Sequence, residues 1–465
     1  MESIIIVVFI LGYLAITLEH NLKLDKLIPA LAMMAICWAI VALNVDSFSN
    51  WFDSGKHALV ENFTSLQHEA RMHLAEETLL HHLGKTAEIL VFLLGAMTIV
   101  EIIDYFDGFS TIKGYVKTNS KKKILWIFSI LAFILSAIID NLTATIVLIS
   151  ILQKIVKKRE ERIWFAGLII IAANAGGAFS PIGDVTTTML WIGDKVSTGK
   201  LFVYLFIPSL LCMVVPSFIA SFLKPFQGTI DTGDDDSSRS KAKYSAAMLY
   251  LGLAAIVFVP VFKTITHLPP YVGMMLSLAI VATFAEIFSR RKFSLTDFNT
   301  MDESREHAYH SPVHSSLSKI EMPSILFFLG ILMAVAALES LGVLFGFADT
   351  LKESIPLLGT ELSGTKVSDT VVMLLGVGSA VIDNVPLVAA SLGMFNEPLD
   401  NPLWHFIAFS AGTGGSMLII GSAAGVVAMG MEKIDFFWYL KKISWLALVG
   451  FLVGSVAFMF MRMFI

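Results

Sequence analysis

Long apolar stretches separated by short polar segments recur from Ile4 to Ile465. A membrane helix needs about 20 mostly apolar residues, and the stretches 27–44, 201–223, 244–262, 271–288 and 443–463 roughly meet that length. This pattern predicts an all-α polytopic membrane protein whose solvent is the bilayer. The first apolar segment follows Glu2 without a basic leader and ends at Glu19-His20 rather than at a small-residue cleavage site, so a retained helix is expected.

Composition agrees: 56% of residues are hydrophobic and only 15% charged, well away from the soluble balance. The only cysteines, Cys37 and Cys212, lie inside apolar spans, which excludes a disulfide framework or a thiolate metal centre. A net charge of -5 with no basic stripe gives no nucleic-acid signature. Charge matters through its location. The segments 21–26, 104–123, 154–162, 224–243, 289–320 and 432–442 hold roughly 24 of the 33 Lys and Arg, which assigns them to the cytoplasm. The opposite side comprises 45–87, 193–200, 263–270 and 341–370. The apolar residues 124–153 are then flanked by cytoplasmic lysines at both ends. Two legs of about 15 residues, roughly 22 Å each, suit a re-entrant hairpin better than two crossings. Its tip falls at Asp140-Asn141-Leu142-Thr143, whose side chains can bond their own backbone. Two short helices joined by a tight extracellular turn are the alternative.

The arrangement recurs. EILVFLLGAMTIVEII from Glu88 matches PSILFFLGILMAVAAL from Pro323, and SAIIDNLTATIVL from Ser136 matches SAVIDNVPLVAASL from Ser379. NAGGAFSPIGDVTTTMLWIG from Asn174 then pairs with SAGTGGSMLIIGSAAGVVAMG from Ser410. The second hairpin, 371–395, has acidic flanks and should open outward. Two inverted-topology repeats are thus expected, each a hairpin followed by a broken transmembrane helix, as in transporters with mid-bilayer sites. The divisions are 1–87 (N-terminal helices and an external amphipathic segment), 88–223 (hairpin 124–153, broken helix 163–193), 224–322 (linkers and two helices) and 323–465 (hairpin 371–395, broken helix 403–430). The loop around His307, His310 and His314 and the acidic Asp234-Asp235-Asp236 are read as polar linkers.

A carboxylate deep in a bilayer needs a partner or a proton, and neither hairpin contains Lys or Arg. Such a group can hold a proton or a small hard cation, each excluding the other, and this competition is the chemistry of antiport. Oxygen ligands for sodium or lithium cluster nearby: Asp140, Asn141, Thr143, Asn174, Asp184, Thr186, Thr187, Asp383 and Asn384, with sodium expected at Asp140, Asn141, Asp383 and Asn384. Ser180, Ser410, Ser416, Ser422, Glu88 and Glu339 are candidates for supporting contacts. The bland readings are that Asp140 only caps a helix, that the hydroxyls pack helices, and that the glutamates anchor at an interface. His68, His73, His81 and His82 fit a solvated helix. No catalytic residue and no cofactor beyond the transported ion are expected.

SAIIDNLTATIVL, SPIGDVTTT from Ser180 and SAVIDNVPLV together resemble the NhaD-type sodium/proton antiporters, in the ion transporter superfamily that also holds arsenite permeases and divalent-anion/sodium symporters. The resemblance spans nearly the whole chain. It implies that Asp140, Asn141, Asn174, Asp184, Thr186, Thr187, Ser379, Asp383 and Asn384 match the polar residues of the family's ion pathway. It also implies an elevator-type architecture, commonly homodimeric, and a bacterial inner membrane is the expected setting. Anion symport and arsenite efflux are the alternatives within that superfamily. The anion symporters have a neutral serine before the hairpin asparagine where this chain has aspartate twice. An intramembrane aspartyl protease using Asp140 and Asp184 is the alternative of another class, although Pro181 stands where its motif wants glycine.

Overall fold

The computed structural model describes residues 1–17, 19–53, 58–113, 118–230, 244–294, 311–344, 346, 367–381 and 384–465. Asp383, the Asp234–Asp236 triplet, His307 and His310 lie outside the described residues. The described chain is nearly all helical: α1 Glu2–Thr17, α2 Leu27–Leu43, α3 His68–Tyr105, α4 Lys121–Ile139, α5 Asn141–Ile155, α6 Arg159–Ala178, α7 Val185–Ile192, α8 Thr198–Ala220, α9 Ser245–Thr266, α10 Pro270–Ser294, α11 Met322–Ser340, α12 Asp369–Gly378, α13 Asn384–Met394, α14 Pro402–Gly414, α15 Ala423–Glu432 and α16 Ser444–Met461. Among the described residues, seven helices are long and apolar enough to cross a membrane. The chain is therefore a polytopic membrane protein.

One division drawn from the sequence has no structural boundary beneath it. Helix α3 runs unbroken for 38 residues across position 87, from the polar segment into the apolar span. Its only interruption to propensity before that point is Gly84, which faces open space and costs about 1 kcal/mol relative to alanine.

The helices form two packed groups. In one, α2 lies against α11 while α9 and α10 cover α3. The other holds α4–α8 and α12–α16, with reciprocal neighbours: α4 packs on α6 as α12 does on α14, and α5 on α6 as α13 does on α14. Across the pair, α15 lies against α5 as α13 lies against α7, and α6–α14 and α8–α16 complete the group. Local contacts show the same equivalence. The Ser136 hydroxyl donates to the Ala173 carbonyl at 2.6 Å, and that of Ser379 to Ala411 at 3.0 Å. Gly176 lies against the Phe133 carbonyl, and Gly414 against that of Gly376, with no room for a Cβ at either. These contacts make Asn174 equivalent to Gly412, two residues beyond the Ser410 paired with it by sequence.

Ion pairs mark the two polar ends. At the Lys/Arg-rich end, Lys121 at the start of α4 meets Glu161 at 3.1 Å, and Arg162 donates to the Val156 carbonyl after α5 at 3.1 Å. Glu432, closing α15, is buried there against Arg162 at 2.9 Å and Gln153 at 3.0 Å. At the other end Arg462, just past α16, grips Asp369 at the start of α12 with two nitrogens, one at 2.6 Å. The Ser197 amide donates to Asp400, in the segment between α13 and α14, at 2.7 Å. Both outer ends of α4–α5 thus lie at one face and those of α12–α13 at the opposite face.

Candidate functional site

The site is built where four helices begin. At Asp140, between α4 and α5, the backbone takes φ 92° and ψ 156°. Glycine alone adopts that region readily, so aspartate there costs of order 1–3 kcal/mol. Its carboxylate caps α5, with Oδ1 accepting the Thr143 amide at 2.8 Å and Oδ2 the Thr143 hydroxyl at 2.8 Å. The kink turns the next side chain inward. The Asn141 amide nitrogen donates to Asn174 Oδ1 at 3.0 Å and to Asp184 Oδ2 at 2.8 Å.

Helix α6 gives way after Gly176-Gly177, whose backbones are pressed against α4 and the Gly183 turn. The chain crosses Pro181 in non-helical form and restarts at Asp184, which is extended at φ -150° and caps α7 by accepting the Thr186 amide at 3.0 Å. From the other half, Asn384 opens α13 and its amide nitrogen donates to Asp184 Oδ2 at 3.2 Å. The Asn174 amide donates to the Ser422 hydroxyl at 3.0 Å, and that hydroxyl caps α15 by accepting the Gly425 amide at 3.2 Å. Five side chains, Asn141, Asn174, Asp184, Asn384 and Ser422, therefore form one network in which Asp184 is 2% exposed. The N-termini of α5, α7, α13 and α15 converge on it, and their aligned dipoles favour negative charge.

The remaining candidates divide. Thr186 and Ser410 are buried and their hydroxyls have no hydrogen-bond partner among the described residues. The Thr187 hydroxyl donates to the carbonyl of Asp184 at 2.9 Å, and that of Ser379 to the Gly376 and Ala411 carbonyls, so both protons tie backbone together. Ser416 bonds the Thr413 carbonyl at 2.6 Å, and Ser180 accepts the Ile182 amide within the turn. Glu88 is half-buried on α3 away from the network, and Glu339 faces Gly393 at the end opposite the lysine-rich face. Sequence reasoning missed the buried acids Asp369 and Glu432. Their arginine partners lie far along the chain, and no local signal announces them.

A buried polar network where helices break inside a multi-span bundle defines a secondary transporter. The family model described as citrate transporter (CitMHS) matches residues 5–404. The chain is 40% identical to "Sodium/proton antiporter 1" of Arabidopsis thaliana, over 97% of this chain and 71% of that one. It is 36% identical to "Sodium/proton antiporter 2" of the same plant, over 97% of each, and 31% identical to "Na(+)/H(+) antiporter NhaD" of Vibrio cholerae, over 97% and 90%. The chain belongs to the NhaD-type sodium/proton antiporters, within the group that the citrate-transporter model describes. The family is one of transporters, not enzymes.

Proposed function

We propose that this chain exchanges sodium or lithium for protons, with Asp140, Asp184 and Asp383 taking up either proton or cation. The single observation that supports this most is the Asp184 carboxylate, buried from water and held by side-chain amides from both halves. Such a group is stable only when balanced by dipoles, a proton or a bound cation. In the arrangement described above, Asn141 and Asn384 donate to it. Turning either amide over would present its oxygen instead, and with the idle Thr186 hydroxyl this makes an oxygen shell suited to an alkali ion. The reciprocal packing and the opposite faces of the two leg pairs support two inverted repeats, 88–223 and 323–465. In this reading each contributes a re-entrant hairpin to a transport unit that moves against α2, α3 and α9–α11, and the protein is a homodimer in lipid. Relatives in both a plant and bacteria leave the bacterial inner membrane an expectation.

The description of the family model raises a second reading, carriage of citrate. Four converging helix N-termini would suit an anion. Here, however, the carboxylates of Asp140 and Asp184 already occupy the positive ends by capping α5 and α7, so the site supplies its own anions. Added negative charge would be repelled and a cation drawn in. The protease alternative finds no support either, since the relatives matched over nearly the whole chain are named as antiporters.

In inside-out vesicles holding an imposed proton gradient, sodium or lithium at alkaline pH should collapse the gradient. Asp140→Asn or Asp383→Asn should remove most of the response. Citrate uptake with no sodium-driven proton movement would overturn the reading.

A further inference from the structure

The two halves of the transport unit do not meet the other helices in the same way. Helix α13 packs directly against α11. Its counterpart α5 is held off α3, the counterpart of α11, by a cavity of about 440 Å³. The inner wall reaches Leu142 and Thr143, and the Thr143 hydroxyl bonds the Asp140 carboxylate at 2.8 Å. The outer rim is formed by Lys154, Lys319 and Glu321, at the Lys/Arg-rich face. A second cavity, of about 340 Å³, opens at the opposite face beside His81, Lys195 and Glu339, but its lining includes no member of the buried network. Of these two cavities, the one at the Lys/Arg-rich face is the one that reaches the Asp140 break.

We propose that the cleft between α3 and α5 is the passage by which cations reach Asp140 from the Lys/Arg-rich side, and that Glu101 is the residue that draws them in. The inference rests on the antiport reading. The cleft is lined by Glu101, Asp104, Asp107 and Glu321 against Lys154 and Lys319, an acidic excess in a face otherwise rich in bases. Charge of one sign along a low-dielectric cleft concentrates counterions and raises arrival rates by about 10- to 1,000-fold. Glu101 is the acid farthest from the rim. It is half-buried one helical turn inward from Asp104 on α3, level with Met97 and Val100, which line the same space. It touches neither Asp140 nor Asp184, so it acts on delivery and not on the ion site itself. Asp104, Asp107 and Glu321 stand nearer the exposed rim, where water and salt screen them more.

Two measurements test this together. In a chain whose buried Cys37 and Cys212 are replaced by alanine, Ser150→Cys places a thiol in the cleft and Ala389→Cys one in the opposite cavity. A membrane-impermeant maleimide should label the first only in inside-out vesicles and the second only in right-side-out ones. Glu101→Gln should raise the half-saturating sodium concentration about threefold or more and flatten its dependence on ionic strength, with the maximal rate kept. Glu101→Asp should restore both. Labelling of Ser150→Cys from the opposite face, or a Glu101→Gln variant with reduced maximal rate and unchanged half-saturation, would overturn the proposal. Because labelling does not depend on which ion moves, failure of the antiport reading would show separately, as wild-type protein without a sodium response.

Discussion

Replacing Asp184 with asparagine keeps the shape of the side chain and removes its charge, so the outcome can be worked from its hydrogen bonds. The carboxylate accepts from Asn141 at 2.8 Å, Asn384 at 3.2 Å and the Thr186 amide at 3.0 Å. An asparagine has one acceptor oxygen, which can keep the Thr186 amide and one side-chain donor. Its own NH2 then faces the NH2 of the other asparagine. One buried donor is left unpaired, which costs about 1–3 kcal/mol, too little to unfold the protein. The effect on the ion is larger, because the site loses a full ligand charge. Thermal unfolding in detergent, with and without sodium, separates the two. At a sodium concentration 100 times its dissociation constant, wild-type protein should gain about 2.7 kcal/mol. The variant should unfold somewhat more readily without sodium and gain nothing from it, and should fail to exchange in vesicles. Equal stabilisation of both proteins by sodium, or sodium-driven proton movement by the variant, would refute the reasoning.

Asp140→Gly relieves a backbone conformation that costs of order 1–3 kcal/mol while deleting the carboxylate. The loss of its cap on α5 offsets part of that gain, so the variant should unfold at nearly the wild-type temperature yet exchange no ions. A large loss of stability would show that the strained aspartate is structural. Arg462→Met removes the two-nitrogen grip on the charged Asp369, which is 1% exposed, and should cost about 3–5 kcal/mol in a detergent melt. Adding Asp369→Leu should recover most of that loss, and an additive double variant would contradict the pairing.

The local features of this fold were legible because local chemistry makes them. Asp140-Asn141 in mid-run, Gly176-Gly177 with Pro181, and the return of Asp-Asn after Ser379 each interrupt a helix by rules that act within a few residues. The candidates Asn141, Asn174, Asp184 and Asn384 meet in one place for the same reason, since each stands at or beside such a break. What joins them was not legible. Asn174 reaches Ser422 across 248 positions, and nothing in either segment encodes that partner. The register of the second broken helix was off by two residues because its glycines, at 412, 414 and 415, match more than one way. The fit of Gly414 against the Gly376 carbonyl and the Ser379 bond to the Ala411 carbonyl fix it. The carbonyls to which the Thr187 and Ser379 hydroxyls donate were not legible either, and that donation leaves each oxygen its lone pairs for a cation. The buried pair of Glu432 with Arg162 and the acidic cleft around Glu101 depend on which helices become neighbours, and that is a property of the whole bundle.

The central claim is that a proton and an alkali cation compete for the same buried carboxylates, and calorimetric titration of the purified protein with sodium tests it most directly. In buffers of different ionisation enthalpy, the apparent heat of binding should change in proportion to that enthalpy, because each cation taken up displaces protons into the buffer. Sodium binding with the same heat in every buffer would contradict the account.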